Sequence, residues 1–335
     1  MTWLALDIGG ANLKAADGRK YACCRPFPLW KQSRELVGAV QALLADAPSC
    51  SRLALTMTGE LADCFATKAE GVQFIVAATL EAAAGRDVRV YQTDGRLVSA
   101  AEAVRSPRLV AAANWHALAR FAGRYAATGV ALLLDIGSTT VDLIPLVDGV
   151  PCAIGATDTE RLIAGELVYT GVERSPVCAV VSHTPYRGQL CPLAQELFAT
   201  TRDVYLVLRQ LPEEPDNCDT ADGRPATQEA ALARLGRMLC ADHGEFAHAD
   251  GVALAQAVSA AQAAQVSAAA RKVLSRLPAA PATIILSGHG DVLAQRVLNE
   301  LGFVGPIVSL ATVLGHDLAR CATAHALAVL ASEGL

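Results

Sequence analysis

The chain has 335 residues, 53% of them hydrophobic and 18% charged, a composition that excludes a disordered chain and leaves room for two lobes around a large core. The net charge of −5 and the lack of any run of Lys and Arg argue against a nucleic-acid or anionic-membrane surface. We therefore expect small-molecule substrates as partners, with no nucleic acid and no membrane. Whether the protein forms a homo-oligomer is left open by the sequence.

The sequence points to the cytoplasm. No apolar run reaches membrane-spanning length, and no basic stretch precedes an apolar one at the N-terminus. The 10 cysteines form no CxxC pair and lie in apolar contexts, so we expect them to be reduced and buried. Cys178, His183 and Cys191 would be three metal ligands, but their spacing fits no standard zinc pattern, and packing cysteines in a loop are the favoured alternative.

Strands and helices alternate in the first part of the chain. Strands are predicted at 2–8, 13–16, 20–23, 52–57 and 88–91, and helices at 35–44, 69–84, 98–104 and 116–125. This alternation favours an α/β layered sheet. We assign residues 1–127 to an N-terminal lobe, joined by a closing helix within 316–335.

A second lobe is predicted at 128–315. Its strands are expected at 130–135, 141–147, 151–155 and 283–286, and its helices at 252–277 and up to residue 301. Between about 157 and 250, strand signals give way to helices and loops, which predicts an insertion. The closing helix is expected at 316–331.

Both lobes open with the same pattern, an apolar strand that ends in Asp-Ile-Gly and a return strand. The first is LDIGGANLKAA and the second is LLLDIGSTTVDLIPL. Glycines let backbone N–H groups face an anion, and an Asp at a strand end can hold Mg²⁺. The alternative is a tight hairpin with a capping Asp. The repeat predicts two loops around one polyphosphate: metal ligands Asp7 and Asp135, and phosphate-binding residues Gly9, Gly10, Asn12, Gly137, Ser138, Thr139 and Thr140.

These loops, together with SGHGD near the C-terminus, resemble the phosphate-1, phosphate-2 and adenosine motifs of the actin, sugar-kinase and heat-shock ATPase superfamily. The DIGSTTVD form is most similar to its hydantoinase A/oxoprolinase branch. The resemblance implies a two-lobed, actin-like (ribonuclease H-like) ATPase fold with a duplicated βββαβα core and a ligand cleft between the lobes. It adds Gly288 and Gly290 to the candidate phosphate-binding residues.

Strings spread over most of the chain, among them TMTGELADCF, AANWHALA, TDTERLIAGELVYTGVERSPVCA and FATTRDVYL, resemble one narrower family. It is the tetrahydromethanopterin-linked C1-transfer pathway family, whose archaeal members are similar to a methanofuran-biosynthesis synthase. The resemblance implies a Mg²⁺-dependent transferase in which the phenol of γ-glutamyltyramine displaces pyrophosphate from a furanylmethyl diphosphate. In a bacterial-type sequence it implies methylofuran, the variant of the cofactor used in one-carbon oxidation.

Further candidates follow from position. Lys14 follows the first turn within reach of an anion, and a solvated strand residue is the equal alternative. Asp142, on the second return strand, is a candidate base or orienting residue. Trp115 would stack on substrate, although a Trp is more often simply core. The candidate substrate-binding residues are Thr58, Gly59, Glu60, Asn114, Trp115, Asp158, Arg161 and Glu166. For the charged cluster of Asp158, Arg161 and Glu166, helix capping is the alternative.

Two rival functions remain open at this stage. An ATP-dependent small-molecule kinase is supported by the three loops and predicts phosphate transfer from nucleotide. A non-catalytic, actin-like assembly protein predicts that Asp7→Ala and Asp135→Ala leave cellular function intact. The synthase, by contrast, predicts pyrophosphate release without nucleotide.

Overall fold

The computed structural model describes residues 2–334 and contains two mixed β-sheets with helices on both faces of each. The strands of the first sheet are β1 (Trp3–Ile8), β2 (Asn12–Ala16), β3 (Ala22–Pro26), β4 (Arg52–Met57), β5 (Asp87–Tyr91) and β6 (Leu97–Ser99). Their order is β3-β2-β1-β4-β5-β6. Strand β1 pairs antiparallel with β2 and parallel with β4.

The second sheet repeats this arrangement. The remaining strands are β7 (Val130–Ile136), β8 (Val141–Val147), β9 (Val150–Pro151), β10 (Leu167–Val168), β11 (His183–Tyr186), β12 (Gln189–Pro192), β13 (Thr283–Gly288) and β14 (Ile307–Ser309). The order is β10-β8-β7-β13-β14, with β9 beside β8, while β11 and β12 form a separate hairpin. Strand β7 pairs antiparallel with β8 and parallel with β13, as β1 does with β2 and β4. The predicted α/β class with a duplicated core is confirmed.

Helices account for most of the remaining chain. They are α1 (Leu29–Gln32), α2 (Leu36–Asp46), α3 (Lys68–Ala82), α4 (Ala100–Arg105), α5 (Pro107–Val110), α6 (Asn114–Ala122), α7 (Asp158–Ala164), α8 (Val177–Val180), α9 (Thr201–Val207), α10 (Gln228–Arg237), α11 (His248–Leu274), α12 (Asp291–Leu301), α13 (Leu310–Leu314), α14 (His316–Arg320) and α15 (Ala322–Glu333). None of the helices described is both long and apolar enough to cross a bilayer.

Helices α6 and α15 lie between the two sheets. Small side chains such as Ala5 and Ala54 face them from the first sheet, together with Tyr91. Larger ones, including Leu133 and Ile285, face them from the second sheet. The closing helix therefore packs against both sheets, and the division into lobes at residue 127 stays an interpretation.

The outer faces of the sheets are covered separately. Leucines of β1 and β4 pack against α2 and α3. The outer face of β7, β8 and β13 packs against α11 and α12. Helices α9, α10 and the first half of α11 form a further apolar cluster, which belongs to the predicted insertion. Both sheets are thus held rigidly, and their strand ends are fixed in position.

Several predicted boundaries were wrong, each for a local reason. The strand expected at 20–23 begins at Ala22, because the Asp17 carboxylate accepts backbone N–H groups from the intervening turn. The helix expected at 98–104 begins after a short strand, where the Ser99 hydroxyl caps it by accepting from the N–H of Glu102. The closing helix is interrupted at Cys321, and the region expected to lack strands contains β10, β11 and β12.

Candidate functional site

The two hairpin turns have the same geometry. The N–H of Gly9 donates to the Asn12 carbonyl over 2.9 Å, and the N–H of Gly137 donates to the Thr140 carbonyl over the same distance. Each turn follows the end of the strand that carries the Asp-Ile pair. The sequence repeat is therefore a repeat of backbone structure, with one copy in each sheet.

The equivalence extends to the neighbouring strands. Thr58 and Gly59 donate N–H groups to the Ile8 carbonyl over 3.0 Å, and His289 donates to the Ile136 carbonyl over 3.0 Å. The Thr58-Gly59-Glu60 segment thus occupies in the first sheet the place that the SGHGD loop occupies in the second. Both loops lie beside an Asp-Ile-Gly turn.

Lys14 is the basic residue of the first hairpin. It lies on β2, directly across from Asp7 of β1. The equivalent position in the second hairpin, across from Asp135 of β7, is occupied by Asp142 on β8. Burial lowers the pKa of Lys14, but the charges of Asp7, Cys24, Asp135 and Cys321 raise it to a net value above that of a free lysine. Asp7 of the first hairpin and Asp135 of the second therefore both act on the same ammonium.

The two strand-end carboxylates differ in environment. Asp7 is 3% exposed, and its Oδ2 accepts a hydrogen bond from the Thr323 hydroxyl of α15. Its Oδ1 has no partner among residues 2–334. For Asp135, burial and then the charge of Asp142 raise the pKa to about 6, although the Ser287 hydroxyl and Lys14 act in the opposite direction.

The two strand-end carboxylates have the chemistry of Mg²⁺ ligands. No group of three or more His, Cys, Asp or Glu side chains in the described part of the chain forms a complete metal site. The unpartnered Asp7 oxygen and the Asp135 carboxylate are hard oxygen ligands, and Mg²⁺ commonly uses one or two carboxylates with water and substrate phosphates. The residues therefore fit an ion that arrives with a diphosphate.

The alternative zinc reading of Cys178, His183 and Cys191 was wrong, since no such cluster exists within residues 2–334. The Cys178 and Cys191 thiols instead donate to backbone carbonyls. All 10 cysteines are free, as expected, but the expectation that they are buried was wrong, because only Cys321 is buried.

The second turn is held from behind by the segment after β10. The Ser138 carbonyl accepts N–H groups from Glu173 and Arg174 over 3.1 and 3.0 Å. A Cβ on Gly171 would lie 2.4 Å from the Thr139 nitrogen, so only glycine permits this approach. Sequence reasoning missed Gly171 and Glu173, although both lie in the quoted string TGVERSPVCA.

Glu173 also connects the second turn to the SGHGD loop. Its Oε1 lies 2.9 Å from His289 Nε2, and its other oxygen pairs with Arg202. Burial raises the pKa of Glu173, but the hydrogen bond to His289 and the charge of Arg202 outweigh it and hold the pKa at about 2. The carboxylate is therefore ionised at neutral pH and fixes the loop against the turn.

The SGHGD glycines have packing reasons for their presence. Gly288 has a φ of +85°, and a Cβ there would lie 2.0 Å from the Ile136 carbonyl oxygen. A Cβ on Gly290 would lie 2.1 Å from the Ile136 side chain. Gly10, by contrast, has open space where a Cβ would point, within the part of the chain described. Of these three, Gly10 is the one with room for a ligand beside it.

Arg161 organises the middle of the site. It is 2% exposed, pairs with Asp142 and lies 3.9 Å from Asp158. Its guanidinium carbon lies 4.3 Å from the centroid of the Trp115 ring. Burial raises the pKa of Asp142, and the charge of Arg161 opposes that rise. Asp142 is thus a paired carboxylate, which suits an orienting role better than that of a free base.

Glu166 and Asn114 make local contacts. The Glu166 carboxylate is fully buried and accepts N–H groups from Ile154 and Gly155, as well as a hydrogen bond from Arg276. These contacts explain why the strand expected at 151–155 ends at Pro151. The Asn114 side chain accepts the N–H of Trp115 over 2.8 Å. Both side chains therefore accept hydrogen bonds from other groups of the protein.

Glu60 differs from these residues. Its side chain is 1% exposed, and Oε2 has no hydrogen-bond partner in the described chain. Burial raises its pKa to about 7; the backbone N–H of Glu60 itself and then Lys68 lower it, whereas Asp158 raises it. Lys68 Nζ lies 3.2 Å from Asp158 Oδ2, joining α3 to α7 next to this carboxyl group.

Two further contacts join the two halves of the chain. The Arg174 guanidinium lies 4.9 Å from the ring of Trp30, and Arg108 lies 3.9 Å from Glu160. A separate cavity of about 310 Å³ is lined by Asp94, Gly95, His116, Arg120, Val150 and Pro151, none of them a predicted site residue.

Comparison with known proteins places this geometry in context. The hydantoinase/oxoprolinase family model matches residues 52–329. A (4-{4-[2-(γ-L-glutamylamino)ethyl]phenoxymethyl}furan-2-yl)methanamine synthase from Methanocaldococcus jannaschii is 40% identical over 243 residues, which cover 71% of this chain and 72% of the relative. A synthase of the same name from Methanococcus vannielii is 29% identical over 206 residues, covering 61% and 91%.

Among solved structures, the acetone carboxylase nucleotide-free structure matches 95% of this chain and 51% of its own, with a TM-score of 0.51 and 14% identity. At that identity the likeness shows a shared fold.

Proposed function

The chain belongs to the hydantoinase/oxoprolinase family, and from that membership and the site we propose that it is a transferase of methanofuran or methylofuran biosynthesis. Its substrates would be (5-(aminomethyl)furan-3-yl)methyl diphosphate and γ-glutamyltyramine, and its products the aryl ether and pyrophosphate. The ether is the compound named in the two synthases to which the chain is similar. The pathway would serve tetrahydromethanopterin-linked one-carbon metabolism in the cytoplasm.

The position of Lys14 carries the proposal. The charges of Asp7 in the first sheet and Asp135 in the second both act on its ammonium, which supports a positive charge near both glycine-bearing turns. A diphosphate held there would meet N–H groups at Gly10, Ser138 and Thr139, because the predicted donors Gly9 and Gly137 use their N–H groups to close the two turns. Fixed donors and a fixed cation stabilise charge that develops on a leaving group without reorganising at the moment of reaction.

Charge balance explains how such a site would activate the donor. The bond between the methylene carbon and the diphosphate oxygen breaks, and its electron pair leaves with the diphosphate. The phenol oxygen bonds to the methylene carbon and releases its proton. Lys14 would stabilise the growing negative charge. Asp7 and Asp135 would hold Mg²⁺, which when bound supplies further positive charge to the diphosphate.

The remaining candidates would place the phenol. Thr58 and Gly59 border the first turn, and Asp158 and Arg161 lie near Glu60 and Trp115. Trp115, predicted to stack on substrate, is instead buried in the core with Arg161 over its ring, so this pair would support the acceptor site from behind. Two ordered substrates in one site convert an intermolecular displacement into a local one.

Incubation of purified protein with synthetic furanylmethyl diphosphate, γ-glutamyltyramine and Mg²⁺ tests the proposal. We expect equimolar pyrophosphate and an ether of the expected mass, with no requirement for ATP. Omitting γ-glutamyltyramine is the matched control and should abolish ether formation. Absence of the ether, together with phosphate transfer from ATP to a small alcohol, would identify a kinase instead.

A further inference from the structure

A base must accept the phenolic proton, and most carboxylates near the proposed site are already engaged. Asp142 pairs with Arg161, Asp158 with Lys68, and Glu166 with Arg276 and two backbone N–H groups. Asp7 and Asp135 act on the ammonium of Lys14, which places them on the diphosphate side. Asp142, Asp158 and Glu166 are thus each held by a cation, whereas Asp7, which also has an unpartnered oxygen, and Asp135 are the proposed Mg²⁺ ligands.

Glu60 is placed differently. It follows β4, and its neighbour Gly59 approaches the first turn so closely that a Cβ there would lie 3.2 Å from the Gly9 carbonyl. Its carboxyl group is 1% exposed, with one oxygen unpartnered within residues 2–334. Buried polar atoms are nearly always hydrogen-bonded, so an exception beside a ligand-binding turn marks a position for a substrate donor.

The backbone around Glu60 shows that this placement is built into the fold. Helix α3 contacts the Glu60 carbonyl through Gly71, where a Cβ would lie 2.1 Å from that oxygen. The charged groups that face Glu60 are Lys68 on α3 and Asp158 on α7, and their charges act on it in opposite directions. The side chain is therefore fixed in position without being neutralised by a dedicated cation.

We propose that Glu60 is the general base that accepts the phenolic proton of γ-glutamyltyramine as the aryl ether forms. This assignment rests on the proposed function. The O–H bond of the phenol breaks, the proton goes to Glu60 Oε2, and the phenol oxygen bonds to the methylene carbon as the diphosphate leaves. Glu60 later returns the proton to solvent when the products depart.

The matching of proton affinities supports this role. A carboxylate with an ordinary pKa is a poor acceptor for a phenol of pKa about 10. Burial raises the pKa of Glu60 to about 7, which brings it closer to the pKa of the phenol and still leaves much of the group ionised at neutral pH.

The test compares Glu60→Gln with wild type and with Asp63→Asn, which changes an exposed carboxylate three positions further along the same loop. Two acceptors are used: γ-glutamyltyramine and a ring-difluorinated analogue whose hydroxyl is more acidic. We expect Glu60→Gln to lower kcat about 10²- to 10⁴-fold with γ-glutamyltyramine and to change the KM for the diphosphate little. With the fluorinated acceptor the loss should be at least about tenfold smaller, because that phenol needs less help to ionise.

Wild-type kcat should rise with pH through about 7, and this limb should disappear in Glu60→Gln. Glu60→Asp, which keeps a carboxylate, should retain the limb at a reduced rate, and it serves as the informative variant if Glu60→Gln does not fold. Equal losses of kcat with both acceptors, or Glu60→Gln activity within about twofold of wild type, would overturn the assignment of Glu60 but not the proposed function. Wild type that forms no ether would overturn the proposed function as well.

Discussion

The guanidinium carbon of Arg161 lies 4.3 Å from the centroid of the Trp115 ring, and the same guanidinium pairs with Asp142. An arginine that is 2% exposed must be compensated, and here a carboxylate and an aromatic face do so together. The pair joins α7 to β8, the return strand of the second hairpin. We expect its loss to affect stability as well as the site.

Arg161→Leu should destabilise the protein by about 3–5 kcal/mol, because it leaves Asp142 as an uncompensated, largely buried carboxylate. The double variant Arg161→Leu, Asp142→Asn should recover much of that loss. Urea unfolding followed by tryptophan fluorescence measures both effects. Arg108→Leu, at a side chain 83% exposed, is the control and should change stability by less than about 0.5 kcal/mol. Equal effects at the two arginines would contradict the buried pairing.

The raised pKa of Glu60 predicts a cost in stability at neutral pH. Burial holds its pKa at about 7 in the folded protein, whereas an unfolded Glu titrates near 4.3. Between these values the folded state binds the extra proton, so stability contributed by this group falls as pH rises from about 4.3 to 7. Glu60→Gln should therefore be more stable than wild type at pH 8, by about 4 kcal/mol at most, and similar at pH 4.

Thermal unfolding of both proteins at several pH values tests this expectation. Asp63→Asn should follow wild type throughout, since its side chain is exposed. A Glu60→Gln variant that is less stable than wild type at pH 8 would mean that the carboxylate has a stabilising partner. Gain of stability with loss of activity is the usual sign of a residue retained for function.

The sequence supported the fold and the two hairpins, because both depend on local pattern. An apolar run, an Asp-Ile-Gly turn and a return strand are each readable within about fifteen residues. The pairing of Arg161 with Asp142 and the closeness of Glu173 to His289 join segments 19 and 116 positions apart. No periodicity encodes such contacts, so sequence reasoning named Arg161 but missed Glu173. It grouped Glu166 with the substrate contacts, whereas its side chain fixes a neighbouring loop.

Lys14 should matter more for turnover than for folding. Lys14→Met removes the cation on which the charges of Asp7 and Asp135 both act. We expect kcat for pyrophosphate release to fall about 10²-fold or more, because a preorganised charge at the leaving group is lost. Lys20→Met, at an exposed lysine in the turn that follows the same strand, is the matched control. If both variants retained wild-type kcat, Lys14 would be a solvated strand residue, the alternative left open by the sequence.

Cys24 provides a probe of the same region that does not depend on turnover. It lies opposite Lys14 on β3 and packs in a small cluster with Cys321. A hydrogen bond from the Cys321 thiol lowers the pKa of Cys24, and the charges of Lys14 and Arg320 add to this effect against burial, giving about 6. Because the thiolate is the reactive form, Cys24 should be alkylated by iodoacetamide at a rate that rises with pH and reaches half its maximum near pH 6.

Mass spectrometry after timed alkylation measures that midpoint. Cys321→Ala removes the thiol that donates to Cys24, so the midpoint should move to higher pH; Lys14→Met should move it in the same direction by a smaller amount. Cys218→Ala removes an exposed cysteine and should leave the midpoint of Cys24 unchanged. If Cys321→Ala left the midpoint near 6, the thiol pair would not be the cause. If only Lys14→Met moved the midpoint, the Lys14 ammonium would instead be the cause of the low pKa of Cys24.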